Sequence, residues 1–139
     1  RGYLLREYLK GNTLIERRYL DNPNRLILIL TQVISILRSL DDKDCPFASN
    51  GSAGGDFVHG DLCLPNIIVD DNDEFIGFVD VSNCGKGDRE YDYCWLLWSM
   101  EHNLKTDEYN HLLLDQIHYE VDAGNYLRYV ADKMIDDDN

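Results

Sequence analysis

Three polar side chains in the middle of the sequence have the types and the spacing that phosphoryl transfer requires. Asp61 and Asn66 stand five residues apart in the segment HGDLCLPN, and Asp80 ends the apolar run FIGFV. In phosphoryl transfer, one carboxylate orients the attacking hydroxyl, while a second carboxylate and an amide hold Mg²⁺ against the phosphate oxygens. The alternative is an ordinary loop with this spacing by chance, but the combination with a following strand and carboxylate favours a site.

Short strands on either side of this loop would bring the three residues together. Residues 57–58, 67–69 and 75–81 are apolar strand candidates, and the polar segment DDNDE at 70–74 predicts a hairpin turn between the last two. Such a hairpin places the HGDLCLPN loop beside Asp80. Pro65 stiffens the loop directly before Asn66.

The rest of the sequence predicts mainly helices. Apolar residues recur every three or four positions over residues 25–40, which predicts an amphipathic helix. Residues 91–100 predict a buried helix, and residues 107–118 and 123–135 predict two further amphipathic helices. Residues 1–9 predict a strand followed by a linker. The sequence therefore indicates an α+β fold that is mainly helical.

The central motifs resemble those of a known family. VHGDLCLPNIIVD followed by GFVDVSNCGKGDREYD is similar to the aminoglycoside phosphotransferases, especially their 3′-phosphotransferase branch in the kinase-like superfamily. ILRSLDDKDCPF resembles a helix and turn of that branch, and YLLREYLKGNTL resembles the linker between its two lobes. The resemblance implies that the chain is the C-terminal lobe of a protein-kinase-like fold, with a small β-hairpin at the catalytic loop.

The resemblance also implies a role for individual residues. It makes Asp61 the catalytic base and makes Asn66 and Asp80 the Mg²⁺ ligands. The residues expected to support the catalytic loop are His59, Asp88 and Asp92. The backbone of the linker would hold the nucleotide, near Arg6 and Tyr8. One departure is that the family usually has Asp-x-Gly at the metal aspartate, where this chain has Asp80-Val81-Ser82.

Cofactors and partners follow from the resemblance and from charge. The family implies Mg²⁺, ATP as co-substrate with GTP as an alternative, and an aminoglycoside acceptor, as in bacterial antibiotic resistance. The chain carries 13 basic and 26 acidic residues, a net charge of −13. This charge suits a cationic acceptor and argues against nucleic acid or an anionic membrane as a partner. Four cysteines without a CxxC pair favour reduced thiols and a cytoplasmic location.

The family pattern is incomplete in these 139 residues. We expect one domain, residues 1–139, divided into an inter-lobe linker remnant (1–12), a helical part (13–47), a Gly/Ser linker (48–56), the catalytic and metal loops (57–100) and C-terminal helices (101–139). The nucleotide-binding lobe of the family is missing from the sequence. ASNGSAGGD at 48–56 stands where the family has a helical insertion, which suggests an engineered join; a naturally short loop or omitted residues are the alternatives.

These departures lead to an expectation about activity. Positioning of the reacting groups and neutralisation of the phosphate charge supply most of the catalysis of phosphoryl transfer. A lobe without the nucleotide-binding lobe is therefore expected to have very low or no kinase activity. The alternatives are a non-catalytic minimal or engineered folding module, and an intact enzyme with residues left out of the sequence. A lobe without its partner surface would also expose apolar side chains and favour self-association.

Overall fold

A computed structural model describes residues 10–40, 48–49 and 52–138, with backbone alone after residue 131. The strands are β1 (Asn12–Thr13), β2 (Asp56–Val58), β3 (Ile67–Val69), β4 (Phe75–Phe78) and β5 (Gly85–Gly87). The helices are α1 (Arg17–Leu20), α2 (Pro23–Ser39), α3 (Arg89–Leu104), α4 (Asn110–Ile117) and α5 (Ala123–Asp138), with a short 3₁₀ turn at Leu64–Asn66.

Helix α2 confirms the helix predicted at 25–40, with slightly different ends. It begins at Pro23, whose fixed φ suits the first helical position, and the Asn22 side chain accepts the N–H of Arg25 at 3.4 Å. Its buried face follows the predicted apolar spacing, at Leu26, Ile27, Ile29, Leu30, Val33, Ile34 and Leu37. Burial of this face against the central strands and α4 anchors the helix in the core.

Helix α3 lies at the centre of the molecule and is longer than the predicted 91–100. Asp88 caps its first turn by accepting the N–H of Glu90 at 3.0 Å. The helix ends where Lys105 adopts a left-handed conformation with φ of 64°. The charged residues in its first turn obscure its start in the sequence, because an apolar pattern alone does not include them. Helix α4 lies within the predicted range 107–118, and α5 begins at the predicted residue 123 and continues beyond the predicted end at 135.

The predicted hairpin is present. Strands β3 and β4 pair in antiparallel fashion, with Ile67 opposite Phe78, and β1 pairs with the other edge of β3. The predicted strand at 75–81 was too long, since pairing ends at Phe78 and Asp80 has a positive φ of 55°. The sequence did not predict a second sheet, in which β2 pairs with β5. Its strand β5 is Gly-Lys-Gly and carries no apolar alternation.

The described residues of the segment 48–56 pack against β5. Ser49 donates its backbone N–H to the carbonyl of Lys86 at 2.9 Å, and the Ser52 hydroxyl accepts the N–H of Asp88 at 2.9 Å. A Cβ atom on Gly54 would lie 2.4 Å from the carbonyl oxygen of Gly87. Composition alone predicted a linker here, but the small residues allow close backbone packing. Among the described helices, none is long and apolar enough to cross a membrane.

Candidate active site

Asp61 and Asn66 are joined by hydrogen bonds within one tight loop. The carbonyl of Asp61 accepts the N–H of Cys63 at 2.9 Å and the side-chain amide of Asn66 at 2.9 Å. The same Asn66 nitrogen lies 3.3 Å from Oδ2 of Asp61. Because the amide nitrogen of Asn66 is used in this way, its amide oxygen is directed away from the Asp61 carbonyl.

His59 connects this loop to the segment that carries Asp80. The ring is 1% exposed, and its Nδ1 accepts the N–H of Asp61 at 3.1 Å. Its Nε2 lies 3.1 Å from the carbonyl oxygen of Val79. An acceptor at Nδ1 and a donor at Nε2 define one neutral tautomer, because neutral imidazole has one of each. His59 therefore serves as a fixed bridge between two loops.

Asp80 directly follows Val79, whose backbone is hydrogen-bonded to the loop. The N–H of Val79 donates to the carbonyl of Asn66 at 3.0 Å, so the backbone before Asp80 is held against Asn66. Asp80 itself is exposed and has a left-handed backbone conformation. Within the described part of the chain, its carboxylate forms no hydrogen bond with Asp61 or Asn66. Asp80 therefore follows a residue that is hydrogen-bonded to the loop, and its side chain is open to solvent.

Asp92 binds the backbone at the start of the loop that carries Asp61. This residue is fully buried in α3, and its two carboxylate oxygens accept the N–H groups of His59 at 2.8 Å and Gly60 at 3.0 Å. Burial raises the pKa of Asp92, while the two backbone donors favour its charged form. Each oxygen satisfies a buried N–H that has no water to pair with.

Asp88, which was predicted to support the catalytic loop, lies at the start of α3. Asp88 caps α3 and also accepts the hydroxyl of Tyr129 at 2.7 Å, so it ties the start of α3 to α5. Arg6 and Tyr8, predicted for the nucleotide, lie outside the described residues.

Gly60 allows the loop that carries Asp61 to pack closely against the segment that contains Asn83. Its φ is +88°, and a Cβ atom here would lie 2.3 Å from the carbonyl oxygen of Asn83. Only glycine fits both the conformation and the space. The catalytic loop is thus in backbone contact with the segment that follows Asp80.

Sequence reasoning missed Ser99 as a contact of the loop. Its hydroxyl, 1% exposed, accepts the N–H of Leu64 at 2.9 Å. The only signal in the sequence is its position seven residues after Asp92, which places both on one face of α3. A serine in an apolar helix is too common for this spacing to be predictive.

Two cavities differ in their lining, and size alone does not identify the site. One, of about 340 Å³, is lined mainly by apolar side chains around His59, including Phe57, Phe78 and Val81. The larger, of about 410 Å³, is lined in part by Glu101 and Tyr126. Glu101 lies nine residues after Asp92, which puts it on the opposite face of α3.

The donor groups suit a magnesium ion with few protein ligands. Among the described residues, no three histidine, cysteine, aspartate or glutamate side chains form a metal-binding group. Mg²⁺ takes one or two carboxylates, with water and phosphate oxygens completing its octahedron. The amide oxygen of Asn66 and the solvent-facing carboxylate of Asp80 are oxygen donors of that kind.

The fold is that of a kinase-like phosphotransferase lobe. Similarity to known sequences identifies the family. Residues 1–124 match the phosphotransferase enzyme family that includes aminoglycoside phosphotransferases, and the chain belongs to this family. The described architecture is that of a kinase-like C-terminal lobe, as the sequence predicted.

Solved structures share this fold at low sequence identity. An aminoglycoside phosphotransferase, APH(3'')-Id from Streptomyces rimosus, superimposes with a TM-score of 0.71 at 16% identity, over 88% of this chain and 65% of that one. Its complex with ADP and streptomycin gives a TM-score of 0.72, over 88% and 66%. An aminoglycoside-3'-phosphotransferase of type VIII gives 0.69 at 18% identity, over 88% and 64%.

Two curated relatives match the sequence itself. A probable aminoglycoside 3'-phosphotransferase of Lactococcus lactis is 30% identical over 155 residues, which cover 81% of this chain and 59% of the relative. An aminoglycoside 3'-phosphotransferase of Niallia circulans is 37% identical over 59 residues, 42% of this chain and 22% of the relative. The chain therefore spans less than two thirds of either relative. The first alignment is longer than the 139 residues of this chain, so it includes positions with no counterpart here.

Proposed function

We propose that these residues form the catalytic lobe of an aminoglycoside O-phosphotransferase, which transfers the γ-phosphate of ATP or GTP to an acceptor hydroxyl. The observation that carries the proposal is the joined loop. Asp61 and Asn66 share hydrogen bonds at 2.9 and 3.3 Å, and His59 ties their loop to Val79, beside Asp80. In this proposal the two carboxylates and the amide act on one bound phosphate, because these backbone contacts hold the Asp61 loop against the residue that precedes Asp80.

In this proposal Asp61 orients the acceptor hydroxyl and accepts its proton. Its backbone is held on both sides, by Nδ1 of His59 and by the amide of Asn66, so its side chain leaves the loop in a defined direction. Such positioning is the main protein contribution to phosphoryl transfer. His59 and Asp92 act on the reaction only by holding this loop.

Asn66 and Asp80 would hold Mg²⁺. The ion would neutralise charge on the phosphate oxygens when it is bound. Asn66 is kept in place by Val79 and by the Asp61 carbonyl, whereas Asp80 reaches into solvent from a left-handed backbone conformation. One fixed and one exposed donor suit an ion that arrives together with a nucleotide.

The proposed acceptor is a polycationic aminoglycoside. A net charge of −13 raises the local concentration of a polyamine sugar, although charge does not select one hydroxyl. The relatives named above are described as aminoglycoside phosphotransferases, and one solved neighbour holds ADP and streptomycin. These descriptions support the substrate class proposed here.

We further propose that the 139 residues alone transfer phosphate very slowly or not at all. The family resemblance assigns the groups that position the phosphates to a nucleotide lobe, and the proposal concerns these 139 residues without that lobe. The predicted nucleotide contacts at Arg6 and Tyr8 remain predictions.

The test combines nucleotide binding with turnover. We expect ATP with Mg²⁺ to raise the melting temperature of the chain, because a ligand that binds only the folded state stabilises it. Asp80→Asn should abolish the rise, and Asp115→Asn, at an exposed position on α4, should retain it. Turnover of kanamycin is expected to stay near background; substantial turnover that Asp61→Asn removes would refute low activity and support the proposed chemistry.

A non-catalytic folding module is the competing outcome. It predicts a cooperative melting transition that ATP with Mg²⁺ does not shift. Self-association, a cytoplasmic location and the lack of nucleic-acid or membrane partners also remain predictions. Sedimentation of the purified chain at several concentrations tests the first of these.

A further inference from the structure

One face of helix α3 contacts the candidate catalytic loop at two separate points. Asp92 accepts the N–H groups of His59 and Gly60, and Ser99 accepts the N–H of Leu64 at 2.9 Å. Seven residues are almost two helical turns, about 10.5 Å along the axis, so both acceptors lie on the same face. The loop from His59 to Asn66 runs along this face.

The N–H of Leu64 needs an acceptor from outside the loop. Leu64 begins the 3₁₀ turn Leu64–Asn66, and the first N–H groups of a helical turn have no partner within it. Pro65 has no N–H, and Leu64 is fully buried, so water is not an alternative. Ser99 therefore supplies the acceptor for this buried donor in the middle of the loop.

The 3₁₀ turn fixes the position of Asn66 relative to Leu64. The N–H of Asn66 donates to the carbonyl of Cys63 at 2.9 Å, and its side chain donates to Asp61. Pro65 restricts the backbone between Leu64 and Asn66. A shift at Leu64 must then displace the Asn66 amide relative to Asp61.

We propose that Ser99 is a positioning residue, which sets where Asn66 presents its amide oxygen beside Asp61. The proposal deepens the proposed function and rests on it to the extent that Asn66 is a magnesium ligand. Ser99 acts through Leu64 and touches none of the reacting groups. Its effect on nucleotide binding is therefore indirect.

Asn103, one turn later on the same face, supports Ser99. Its side-chain nitrogen donates to the carbonyl of Ser99 at 2.8 Å and lies 3.4 Å from the Ser99 hydroxyl. Asn103→Ala removes this support but leaves the hydroxyl that accepts from Leu64. It is a matched control, because it disturbs the same helix face and spares the bond to the loop.

The test compares Ser99→Ala, Ser99→Thr and Asn103→Ala by NMR without metal and by calorimetric titration with ATP and Mg²⁺. In Ser99→Ala we expect amide exchange at Leu64 to accelerate at least about tenfold, the side-chain amide signals of Asn66 to move, and nucleotide affinity to fall at least about threefold. Ser99→Thr keeps the hydroxyl and should restore all three, while Asn103→Ala should cause smaller changes. If Ser99→Ala does not fold, Ser99→Cys replaces it, since sulfur is a weak acceptor of similar size.

Unchanged Asn66 signals in Ser99→Ala would overturn the positioning role, even if Leu64 exchanged faster, because Ser99 would then only stabilise the fold. Failure of the proposed function gives a different result. If the unaltered chain does not bind ATP with Mg²⁺, the function is refuted for this chain. The metal-free Asn66 signals still decide whether Ser99 positions the loop.

Discussion

The imidazole Nε2 of His59 lies 3.1 Å from the carbonyl oxygen of Val79, while Nδ1 of the same ring accepts the N–H of Asp61 at 3.1 Å. One buried side chain thus spans the loop that carries Asp61 and the segment that carries Asp80. The relationship requires a neutral ring with its proton on Nε2. It also makes the geometry of the candidate site depend on contacts far apart in sequence.

Replacement of Asp92 by alanine should destabilise the protein strongly. It leaves the N–H groups of His59 and Gly60 buried and unpaired, which we expect to cost about 2 to 5 kcal/mol. Asp92→Asn should cost less, because its one oxygen can still accept one N–H. Urea unfolding measures the change, with Asp115→Ala on the surface as control; equal stability of Asp92→Ala and the control would contradict the bracing role.

A methyl group at Gly60 should separate the two loops. Gly60→Ala places a side chain at a positive φ and 2.3 Å from the Asn83 carbonyl, so we expect a loss of about 2 kcal/mol or more. Gly55→Ala is the control, because no atom lies within 4 Å of its added Cβ, and it should change stability by less than about 0.5 kcal/mol. Thermal unfolding of both variants tests this contrast, and similar losses would argue against close contact at Gly60.

The Asp56–Arg89 pair should contribute stability that disappears in acid. The hydrogen bond from Arg89 lowers the pKa of Asp56. Its contribution is therefore present above the unfolded pKa, about 3.9, and is lost as pH falls through the lower folded value. Both side chains are at least one third exposed, so the effect should be at most about 0.5 kcal/mol.

Urea unfolding at about pH 5 and about pH 3 measures this loss. The free energy of unfolding should fall more in the unaltered chain than in Asp56→Asn, since the variant has no carboxylate to titrate at this position. A steeper fall in the variant would reverse the predicted sign.

Cys94 should resist thiol reagents while the protein is folded. The side chain is fully buried, and burial together with nearby Glu90 and Asp88 raises its pKa to about 12. Because the thiolate is the reactive form, alkylation at about pH 8 should leave Cys94 unmodified. Peptide mass mapping with and without urea tests this; equal labelling of Cys94 under both conditions would show that it is accessible in the native state.

Much of the fold could be predicted from local pattern, and the exceptions have a common cause. The period of apolar residues located α2, and the DDNDE turn located the β3–β4 hairpin. Strand β5 and its pairing with β2 were missed, because Gly-Lys-Gly forms a strand only through its partner. The segment 48–56 has the composition of a linker, yet Ser52 accepts the N–H of Asp88. Packing of small residues depends on the surface they meet, which local composition does not contain.

The sequence by itself determined the candidate chemistry, because residue type and spacing define the set of Asp61, Asn66 and Asp80. It also determined the family, through motifs that extend over most of the chain. Only the tertiary structure decided what holds these residues in place. The bridge from His59 to Val79 and the bond from Ser99 to Leu64 join positions 20 and 35 residues apart. Such contacts form only when the chain folds and α3 packs against the loop. The backbone N–H groups of the loop then lose contact with water and must bond to acceptors within the protein.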